Sequence, residues 1–501
     1  MTSKKKICFL INKNFLQFGL ANKIQTNKNY ELYAVIDDDP NLKKFFEKQT
    51  IVKFQKTIFL NDFSSSEKPN IDYLKNIEKN YGVNLWETSY SDRLFYPKYN
   101  KFYKFSHDEI LSIVERGCRC FEHVLQTINP DYVFIATITG HHELLFNKMS
   151  KSKNITTLCL EADRFGDKWY VAKGVYNEDE KTNLIKKSKK KRSSEELEHF
   201  FHSHKPAEFY MNAKNIQTKI SKWERSKALF QLLTSSKQDY ENLYTNFGKT
   251  KLNILTKGSA RSHNKQNHKR QSFIDKNFVK KIDNDKQYVY FPMHEEPEKV
   301  LLMGSRYYSE QIGIISNIAK SLPVGYWLYV KEHPVMKIPG WRDESYYQQI
   351  IDLPNVKLLH PDMSQEELIK SCSLLITIRG SAAIEATIFK KPTIVFSSDY
   401  GWSSIPSIHI LEKFDELPSA IRLSLKKTIH TSDIDDFMEF VENNSFDFEV
   451  DQIVSEVAKC LRYNIGYLKR PPINESVLLE FLARRSNDFK LVAEKFLEKV
   501  T

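Results

Sequence analysis

Short apolar runs alternate with segments of helical periodicity along the first third of the chain. Runs at 7–11, 30–36, 132–137 and 156–160 predict strands. Between them, residues 108–128 place apolar side chains at helical spacing and end at an Asn-Pro pair, which predicts a helix followed by a strand. The pattern therefore indicates βαβ units in this part of the chain.

The alternation returns with greater regularity from residue 287. Strands are predicted at 288–291, 327–330, 356–359, 374–378 and 393–396. The segments between and after them predict helices at 309–321, 346–352, 364–371 and 381–389. Apolar strands without polar alternation, each followed by a helix, are typical of a parallel sheet buried on both faces.

These patterns divide the 501 residues into four segments. We predict an N-terminal Rossmann-like domain at 1–176, a basic, partly helical insertion and linker at 177–286, a second Rossmann-like domain at 287–415, and C-terminal helices at 416–501. A helix is predicted inside the insertion at 209–243. The predicted fold class is α/β, with two doubly wound domains that face each other across a cleft.

The strand predicted at 374–378 leads into Arg379, Gly380, Ser381 and Ala382. Gly380 permits a tight turn, Ser381 is a candidate helix N-cap, and small Ala382 lets a ligand approach the backbone. Arg379 offers a forked donor for phosphate or carboxylate, and Glu385 lies one turn further where it could accept from ribose hydroxyls. The alternative is an ordinary capped helix with an alanine-rich packing face.

The strand predicted at 327–330 leads into Lys331, Glu332, His333 and Pro334. Pro334 ends the strand and presents His333, which can donate to a phosphate oxygen, while Lys331 adds positive charge. The alternative is an exposed histidine in a loop. Because ligands of open α/β sheets bind beyond the carboxyl ends of the strands, both motifs should converge on one crevice, and they predict a site for a nucleotide-activated donor.

Candidate acid–base residues follow strands in both halves of the chain. His294 follows the first strand of the second domain, and His141, His142 and Glu143 follow the strand at 132–137. A histidine or glutamate at this edge could act as general base on an acceptor hydroxyl. The His-His-Glu run lacks the spacing of a helical zinc site, so no metal is predicted there.

Further charged clusters occur at 161–164 and at Glu87, Asp92 and Arg93. Each of them, like the histidine cluster before them, could instead be a surface ion pair, and the acidic run after His294 could be an exposed loop.

Composition narrows the classes of partner only slightly. The formal net charge is +12, from 75 Lys and Arg against 63 Asp and Glu, which is compatible with acidic substrates, an anionic membrane surface or nucleic acid. The basic run at 186–192 has no interleaved aromatics, so nucleic acid is not expected as a partner.

The six cysteines lack paired spacing and predict reduced, buried thiols. The N-terminal apolar run is too short for a signal peptide, so a cytoplasmic location is expected, with peripheral binding at the inner membrane face as an option.

Several short motifs together resemble the bacterial capsule polysaccharide biosynthesis proteins, which include the Kdo transferases. The shared motifs lie at 290–298 (YFPMHEEPE), 322–326 (LPVGY), 329–334 (YVKEHP), 340–342 (GWR), 346–347 (YY), 380–386 (GSAAIEA) and 391–392 (KP). The resemblance implies a metal-independent glycosyltransferase of the GT-B type, whose two α/β domains and C-terminal helices match the predicted layout. It also implies that His333 and Ser381 hold the donor phosphate, as in transferases that use a CMP-sugar.

The leading hypothesis is a glycosyltransferase of surface polysaccharide synthesis that needs no cofactor other than its nucleotide-sugar substrate. The donor would lie on the second domain, and a glycan or glycolipid acceptor would enter between His141–Glu143 and His294. One alternative keeps the fold but makes the chain a polyol-phosphate transferase or a sugar-nucleotide epimerase. Another makes it a non-enzymatic module that binds polysaccharide or an anionic membrane through residues 186–192.

Overall fold

A computed structural model gives the arrangement of most of the chain. It describes 4–12, 15–37, 40–63, 68–163, 168–174, 187–204, 244–257, 260–283, 285–338, 340–397, 405–460 and 473–500, with single residues at 223, 226, 230, 234 and 402. Most of the helix predicted at 209–243 lies outside the described residues, as do Arg164 and Lys186.

The first sheet has the strand order β13-β6-β5-β4-β1-β2-β3. Its strands are β1 (Lys5–Ile11), β2 (Tyr30–Ile36), β3 (Lys56–Phe59), β4 (Tyr132–Ile135), β5 (Thr156–Ala162), β6 (Lys168–Lys173) and β13 (Phe446–Asp447). Strands β1 to β5 are parallel, whereas β6 and β13 pair antiparallel. The predicted strand at 30–36 is confirmed residue for residue, while β3, β6 and β13 were not predicted.

The second sheet has the order β12-β11-β10-β7-β8-β9, and all its strands are parallel. They are β7 (Gln287–Pro292), β8 (Tyr326–Lys331), β9 (Val356–Leu359), β10 (Leu374–Thr377), β11 (Thr393–Val395) and β12 (Ile408–Ile410). All five predicted strands are confirmed within two residues at each end. In both sheets the first strand of the domain lies between its second and fourth strands, so each sheet has a topological switch point beside its first strand.

Helices cover both sheets. Those of the first domain are α1 (Leu16–Ile24), α2 (Pro40–Lys48), α3 (Ile71–Tyr81), α4 (Leu85–Ser89), α5 (His107–Thr127) and α6 (His141–Ser152). The next are α7 (Ser194–Ser203), α8 (Lys251–Lys257) and α9 (Ala260–Asn277). The second sheet is followed or flanked by α10 (Gln311–Ser321), α11 (Glu344–Ile351), α12 (Gln365–Ser371), α13 (Ala382–Ile388), α14 (Leu417–Ser424) and α15 (Asp435–Asn444). The last three are α16 (Val450–Cys460), α17 (Glu475–Arg484) and α18 (Ser486–Leu497).

The long helix α5 shows why these segments fold as predicted. Ser106 and Glu109 form a reciprocal capping box, which satisfies two backbone N–H groups that the helix start would leave unpaired. Its apolar side chains recur at helical spacing, and Val114, Cys118 and Phe121 are fully buried against the first sheet. The helix predicted at 108–128 is therefore confirmed.

The end of the chain returns to the first domain. Helix α18 packs on α1, where the ring of Phe489 lies so close to Gly19 that a Cβ there would come within 2.4 Å of it. Phe496 contacts Phe134 of β4, with ring centroids 4.7 Å apart. The helices predicted beyond residue 416 are confirmed, and the short strand β13 adds to the far edge of the first sheet.

Ion pairs join the two domains at the carboxyl ends of their strands. Lys299, just after β7, reaches Glu161 of β5 at 2.7 Å, and Lys98 of the first domain reaches Glu296 at 2.6 Å. Met303 is buried in the core of the first domain. Two Rossmann-like domains that meet in this way form a GT-B-like α/β fold, which confirms the predicted fold class.

Candidate functional site

The switch point of the second sheet brings His294 and Arg379 together. His294 follows β7 and Arg379 follows β10, and these strands are neighbours. The His294 ring Nε2 lies 3.3 Å from the Thr377 hydroxyl and accepts the Arg379 backbone N–H at 3.4 Å. Since Nε2 is the acceptor, the other ring nitrogen carries the proton, and it lies 3.8 Å from a Glu298 oxygen. The Arg379 guanidinium donates to the Gly304 carbonyl at 3.0 Å.

Gly380 keeps this corner open. A Cβ at Gly380 would lie 3.2 Å from the Thr377 hydroxyl and 3.3 Å from the His294 ring, closer than side chains ordinarily approach. A larger residue at position 380 would therefore require the Thr377 or His294 side chain to shift by a few tenths of an ångström.

Ser381 does not cap the following helix with its side chain, so the predicted N-cap is wrong. Its backbone already has helical dihedrals (φ −54°, ψ −24°), whereas a side-chain cap requires an extended N-cap residue. The hydroxyl instead donates to Glu385 at 3.1 Å, and Gln365 donates to the other Glu385 oxygen at 2.9 Å. Burial raises the pKa of Glu385, and the hydrogen bonds from Gln365 and Ser381 partly offset that rise. Ala382 is buried in the core behind the turn.

Lys331 and His333 lie at the end of the neighbouring strand β8. Burial lowers the pKa of Lys331 to about 8, although the charges of Glu385 and Asp362 oppose the shift. Burial also lowers the pKa of His333 to about 4, so its ring is neutral at pH 7. The His333 Nδ1 accepts the Val335 backbone N–H at 3.3 Å, which leaves the proton on Nε2, where it can be donated to a ligand oxygen. Pro334 opens a single 3-10 turn at Pro334–Lys337.

Glu332 points away from this group and into the core. It is fully buried, forms an ion pair with Arg342, and accepts the Tyr347 hydroxyl at 2.9 Å. Arg342 also donates to the His294 carbonyl at 2.6 Å. Glu332 therefore anchors the loop that carries His294, by way of Arg342.

A second group of titratable side chains occupies the matching edge of the first sheet. His141 and His142 open helix α6 after β4, and their rings lie 4.0 Å apart. The His141 Nδ1 is 2.7 Å from Asp92, and the His142 Nδ1 is 3.1 Å from Asp37, which follows β2. The two Nε2 atoms are buried, and neither has a hydrogen-bond partner among the described residues.

The two histidines have opposite pKa shifts. Burial and the neighbouring His142 lower the pKa of His141, although Asp92 opposes the shift. Burial also disfavours the charged form of His142, but the charge and hydrogen bond of Asp37 outweigh it and raise the His142 pKa. Burial and the charge of Asp37 raise the pKa of Glu143 to about 7. Glu143 therefore changes protonation near pH 7, and the pKa values of the two histidines are shifted apart, a pattern common at functional sites.

Sequence reasoning missed two members of this group and misjudged a third. Asp37 could have been found because it follows β2 at the same sheet edge, but Tyr244, which donates to Asp92 at 3.1 Å, comes from a distant segment. Asp92, interpreted with Glu87 and Arg93 as one charged cluster, is buried on His141, while Glu87 pairs with Lys148 at 2.9 Å. Glu87 and Asp92 therefore bind different partners and do not form one charged cluster.

Metal-ligand clusters and membrane-spanning helices were sought among the described residues. These residues contain no group of three or more His, Cys, Asp or Glu side chains placed to hold a metal ion. None of their helices combines the length and apolar character needed to cross a bilayer.

Solved structures with a similar fold include sugar-nucleotide enzymes and glycosyltransferases. KpsC of Thermosulfurimonas dismutans, a beta Kdo 2,4 transferase, shares 10% identity over 67% of this chain and 87% of its own, with a TM-score of 0.29. The UDP-GlcNAc 2-epimerase of Methanocaldococcus jannaschii shares 12% identity over 87% and 99%, with a TM-score of 0.23. The ADP-heptose heptosyltransferase II of E. coli shares 8% identity over 84% and 98%, with a TM-score of 0.23.

Sequence comparison gives a more specific result. A search of the curated proteins finds no match. The family model described as capsule polysaccharide biosynthesis protein matches residues 169–401, which include β6, the insertion and nearly all of the second sheet. The match contains His294, His333, Arg379 and Ser381. The resemblance drawn from the short motifs is therefore confirmed: over residues 169–401, this chain is similar to the capsule polysaccharide biosynthesis proteins.

Proposed function

We propose that this chain is a glycosyltransferase of surface polysaccharide synthesis that binds a nucleotide-activated sugar on its second domain. The observation that carries the proposal is the convergence of His294, Arg379, Ser381, Lys331 and His333 at one sheet edge. This edge is a topological switch point, where open α/β sheets bind ligands, and it lies within the region matched by the family.

The donor phosphate would be held by charge and by neutral donors together. Arg379 and Lys331 supply positive charge, and the neutral ring of His333 supplies a hydrogen bond. The Ser381 hydroxyl would supply another by turning from Glu385 to the phosphate. As the bond between sugar and phosphate breaks, negative charge develops on the leaving oxygen, and prearranged cations stabilise it. We therefore propose transfer without a metal ion. The resemblance of His333 and Ser381 to phosphate ligands of CMP-sugar transferases makes a CMP-sugar the preferred donor.

The acceptor hydroxyl would meet its base across the cleft. His141, His142, Glu143 and His294 are the candidates, and we favour His142 because Asp37 fixes its ring and raises its pKa. A histidine held by a carboxylate can take a proton from the attacking hydroxyl while the carboxylate stabilises the imidazolium. The ion pairs Lys98–Glu296 and Lys299–Glu161 join the two domains near these edges, which supports an acceptor site between them.

Nucleotide binding is the first test of the donor assignment. We would measure the thermal unfolding midpoint with CMP, CDP, UDP, GDP or ADP at equal concentration, with and without magnesium. A ligand at about 100 times its dissociation constant adds roughly 2.7 kcal/mol, which raises the midpoint by a few degrees. Stabilisation by CMP regardless of magnesium would support a CMP-sugar donor. A response to UDP or CDP would redirect the donor assignment, and no response to any nucleotide would contradict the proposal.

Transfer itself is tested with variants of the donor site. His333→Ala and Ser381→Ala should reduce product formation at least about 100-fold, because each removes a hydrogen bond to developing charge. His409→Ala, an exposed histidine on β12, is the matched control and should retain full activity. Transfer at the wild-type rate in both donor-site variants would sink the assignment. A phosphodiester product would indicate the polyol-phosphate reaction, and a free epimer would indicate an epimerase.

A further inference from the structure

A row of aromatic rings leads from the open surface of the first domain to the junction between the domains. It begins with Trp86 on α4 and continues through Tyr90 and Tyr96 to Tyr99. Successive ring centroids are 6.4, 5.4 and 5.6 Å apart. The donor and acid–base groups described above do not include these residues.

The outer end of the row is unusually open for such side chains. Trp86 is 36% exposed, and Tyr90, at 57%, leaves more than half of its surface open, although large aromatic side chains normally bury most of theirs. The Tyr96 hydroxyl donates to the Tyr90 carbonyl at 2.9 Å, which ties the middle of the row to its outer end. The rings thus form a continuous surface that is partly exposed to solvent, and the hydrogen bond to the Tyr90 carbonyl fixes the Tyr96 ring within it.

The inner end of the row reaches the proposed active site. The Tyr99 hydroxyl donates to Glu296 at 3.3 Å, and Glu296 lies two residues beyond His294. On the other side of the same segment, Phe95 contacts the His141 ring at a centroid distance of 5.1 Å. The segment that carries the row therefore contacts both the loop of His294 and the His141 ring.

The charged side chains around the row indicate whether its ligand is anionic, cationic or neutral. Arg93, Lys101 and Lys104 are exposed on this segment and have no ion-pair partner among the residues that the structure describes. The two carboxylates of the same segment are already engaged, Glu87 by Lys148 and Asp92 by His141. The exposed charges of this segment are therefore cationic. Beyond it, Asp108 lies near the outer end of the row, 2.8 Å from the His107 ring that contacts Trp86.

We propose that this aromatic row, Trp86–Tyr90–Tyr96–Tyr99, is the binding track for the growing acceptor, an anionic polysaccharide. Sugar rings have one face rich in C–H groups that packs on aromatic rings, while acidic substituents would pair with Arg93, Lys101 and Lys104. The inference rests on the proposed function, because it names the acceptor of that same site. It would make the enzyme extend an existing chain rather than prime a bare lipid.

Binding without the donor tests the track separately from transfer. The probe is the pool of oligosaccharides released by partial hydrolysis from the surface polysaccharide of the strain that encodes this chain, measured by titration calorimetry. Trp86→Ala combined with Tyr90→Ala should weaken binding about tenfold or more, since exposed aromatic anchors commonly dominate such contacts. The matched control combines Tyr307→Ala with Leu423→Ala, which are 85% and 68% exposed on the second domain, and should bind normally.

The charge part of the proposal has its own readout. Lys101→Glu combined with Lys104→Glu should weaken binding, and added salt should weaken wild-type binding, because exposed charges are screened. Equal affinity at low and high salt would overturn the anionic assignment. Failure of the wild-type protein to bind the pool, or equal binding by the Trp86 and Tyr90 double variant, would overturn the track itself.

Nucleotide stabilisation measured on the same variants separates the two proposals. Loss of glycan binding with an unchanged nucleotide response supports both the track and the transferase. Glycan binding that depends on Trp86 and Tyr90, in a wild-type protein that no nucleotide stabilises, supports the track and contradicts the transferase.

Discussion

The two sheets share one strand order at their centres, yet their carboxyl edges carry opposite chemistry. The first edge holds histidines paired with carboxylates, with His142 on Asp37 and Glu143 beside them. The second edge holds two buried cations, Lys331 and Arg379, beside a neutral histidine. The first edge therefore contains a carboxyl group, that of Glu143, which exchanges its proton near pH 7, and the second contains cations that attract anions.

This contrast shows that the strand order determines where a ligand can bind, whereas the side chains at that position determine which reaction can occur there. Both edges lie beside the switch point of a doubly wound sheet, so the fold alone would allow a ligand to bind at either of them. The proposed transfer from a phosphate-activated donor needs both kinds of chemistry, a group that takes up the acceptor's proton and groups that bind the phosphate.

The largest effect is expected from the buried ion pair beneath the second edge. Arg342→Met leaves Glu332 charged and buried, which should cost about 3–5 kcal/mol in the free energy of unfolding. Denaturant unfolding followed by a probe in the second domain would measure the loss. Combining Arg342→Met with Glu332→Gln should recover part of it, because the uncompensated charge is then gone.

The control for that experiment is an exposed pair in the first domain. Lys43 and Asp62 keep 37% and 50% of their side-chain surface exposed, so Lys43→Met should change stability by about 1 kcal/mol or less. Equal losses in Arg342→Met and Lys43→Met would show that the second edge does not depend on its buried pair.

Stability at the first edge should respond to pH through Glu143. Its folded pKa of about 7 lies above the unfolded value, so folding favours the protonated acid and is penalised as pH rises from about 4.5 to 7. Glu143→Gln removes the ionisation and should add up to about 3 kcal/mol above pH 7 and almost nothing near pH 4.5. Unfolding curves from pH 5 to 8 would show this growing gain.

A surface glutamate supplies the comparison for Glu143. Glu412→Gln, at an exposed position after β12, should leave the stability curve unchanged over the same range. A pH-independent effect of Glu143→Gln would mean that its carboxyl titrates normally and that the first edge is not tuned for proton transfer.

The sequence predicted the framework well because burial leaves a regular pattern. Strand β2 was located residue for residue, and the helix at 108–128 was displaced by one residue at each end. Strand ends also located the motif residues, since polar side chains that follow buried strands must lie at the sheet edge. The missed strands β3, β6, β12 and β13 are short or alternate with polar residues, so their apolar signal is weak.

Pairings within the site could not be predicted in the same way. His142 and its partner Asp37 are 105 residues apart, and Asp92 and Tyr244 are 152 apart, so only the closed fold brings each pair together. The Ser381 cap failed for a local reason, since its helical dihedrals turn the hydroxyl toward Glu385. Local pattern indicates which residues reach an edge, whereas tertiary packing decides which of them pair.

The smallest predicted effect is a fraction of a proton at the second edge. Lys331 has a pKa lowered to about 8, because burial outweighs the carboxylates Glu385 and Asp362. A bound phosphate would raise that pKa again, so nucleotide binding at pH 8 should take up about half a proton. Affinity should then fall as pH rises above 8, because the free protein must acquire the proton in order to bind.

Calorimetry in two buffers of different ionisation enthalpy measures the proton uptake. Lys331→Met should abolish this uptake, while Lys337→Met, an exposed control, should not. Binding with no proton uptake at pH 8 would remove Lys331 from the donor site and leave Arg379 as the cation that distinguishes the second edge from the first.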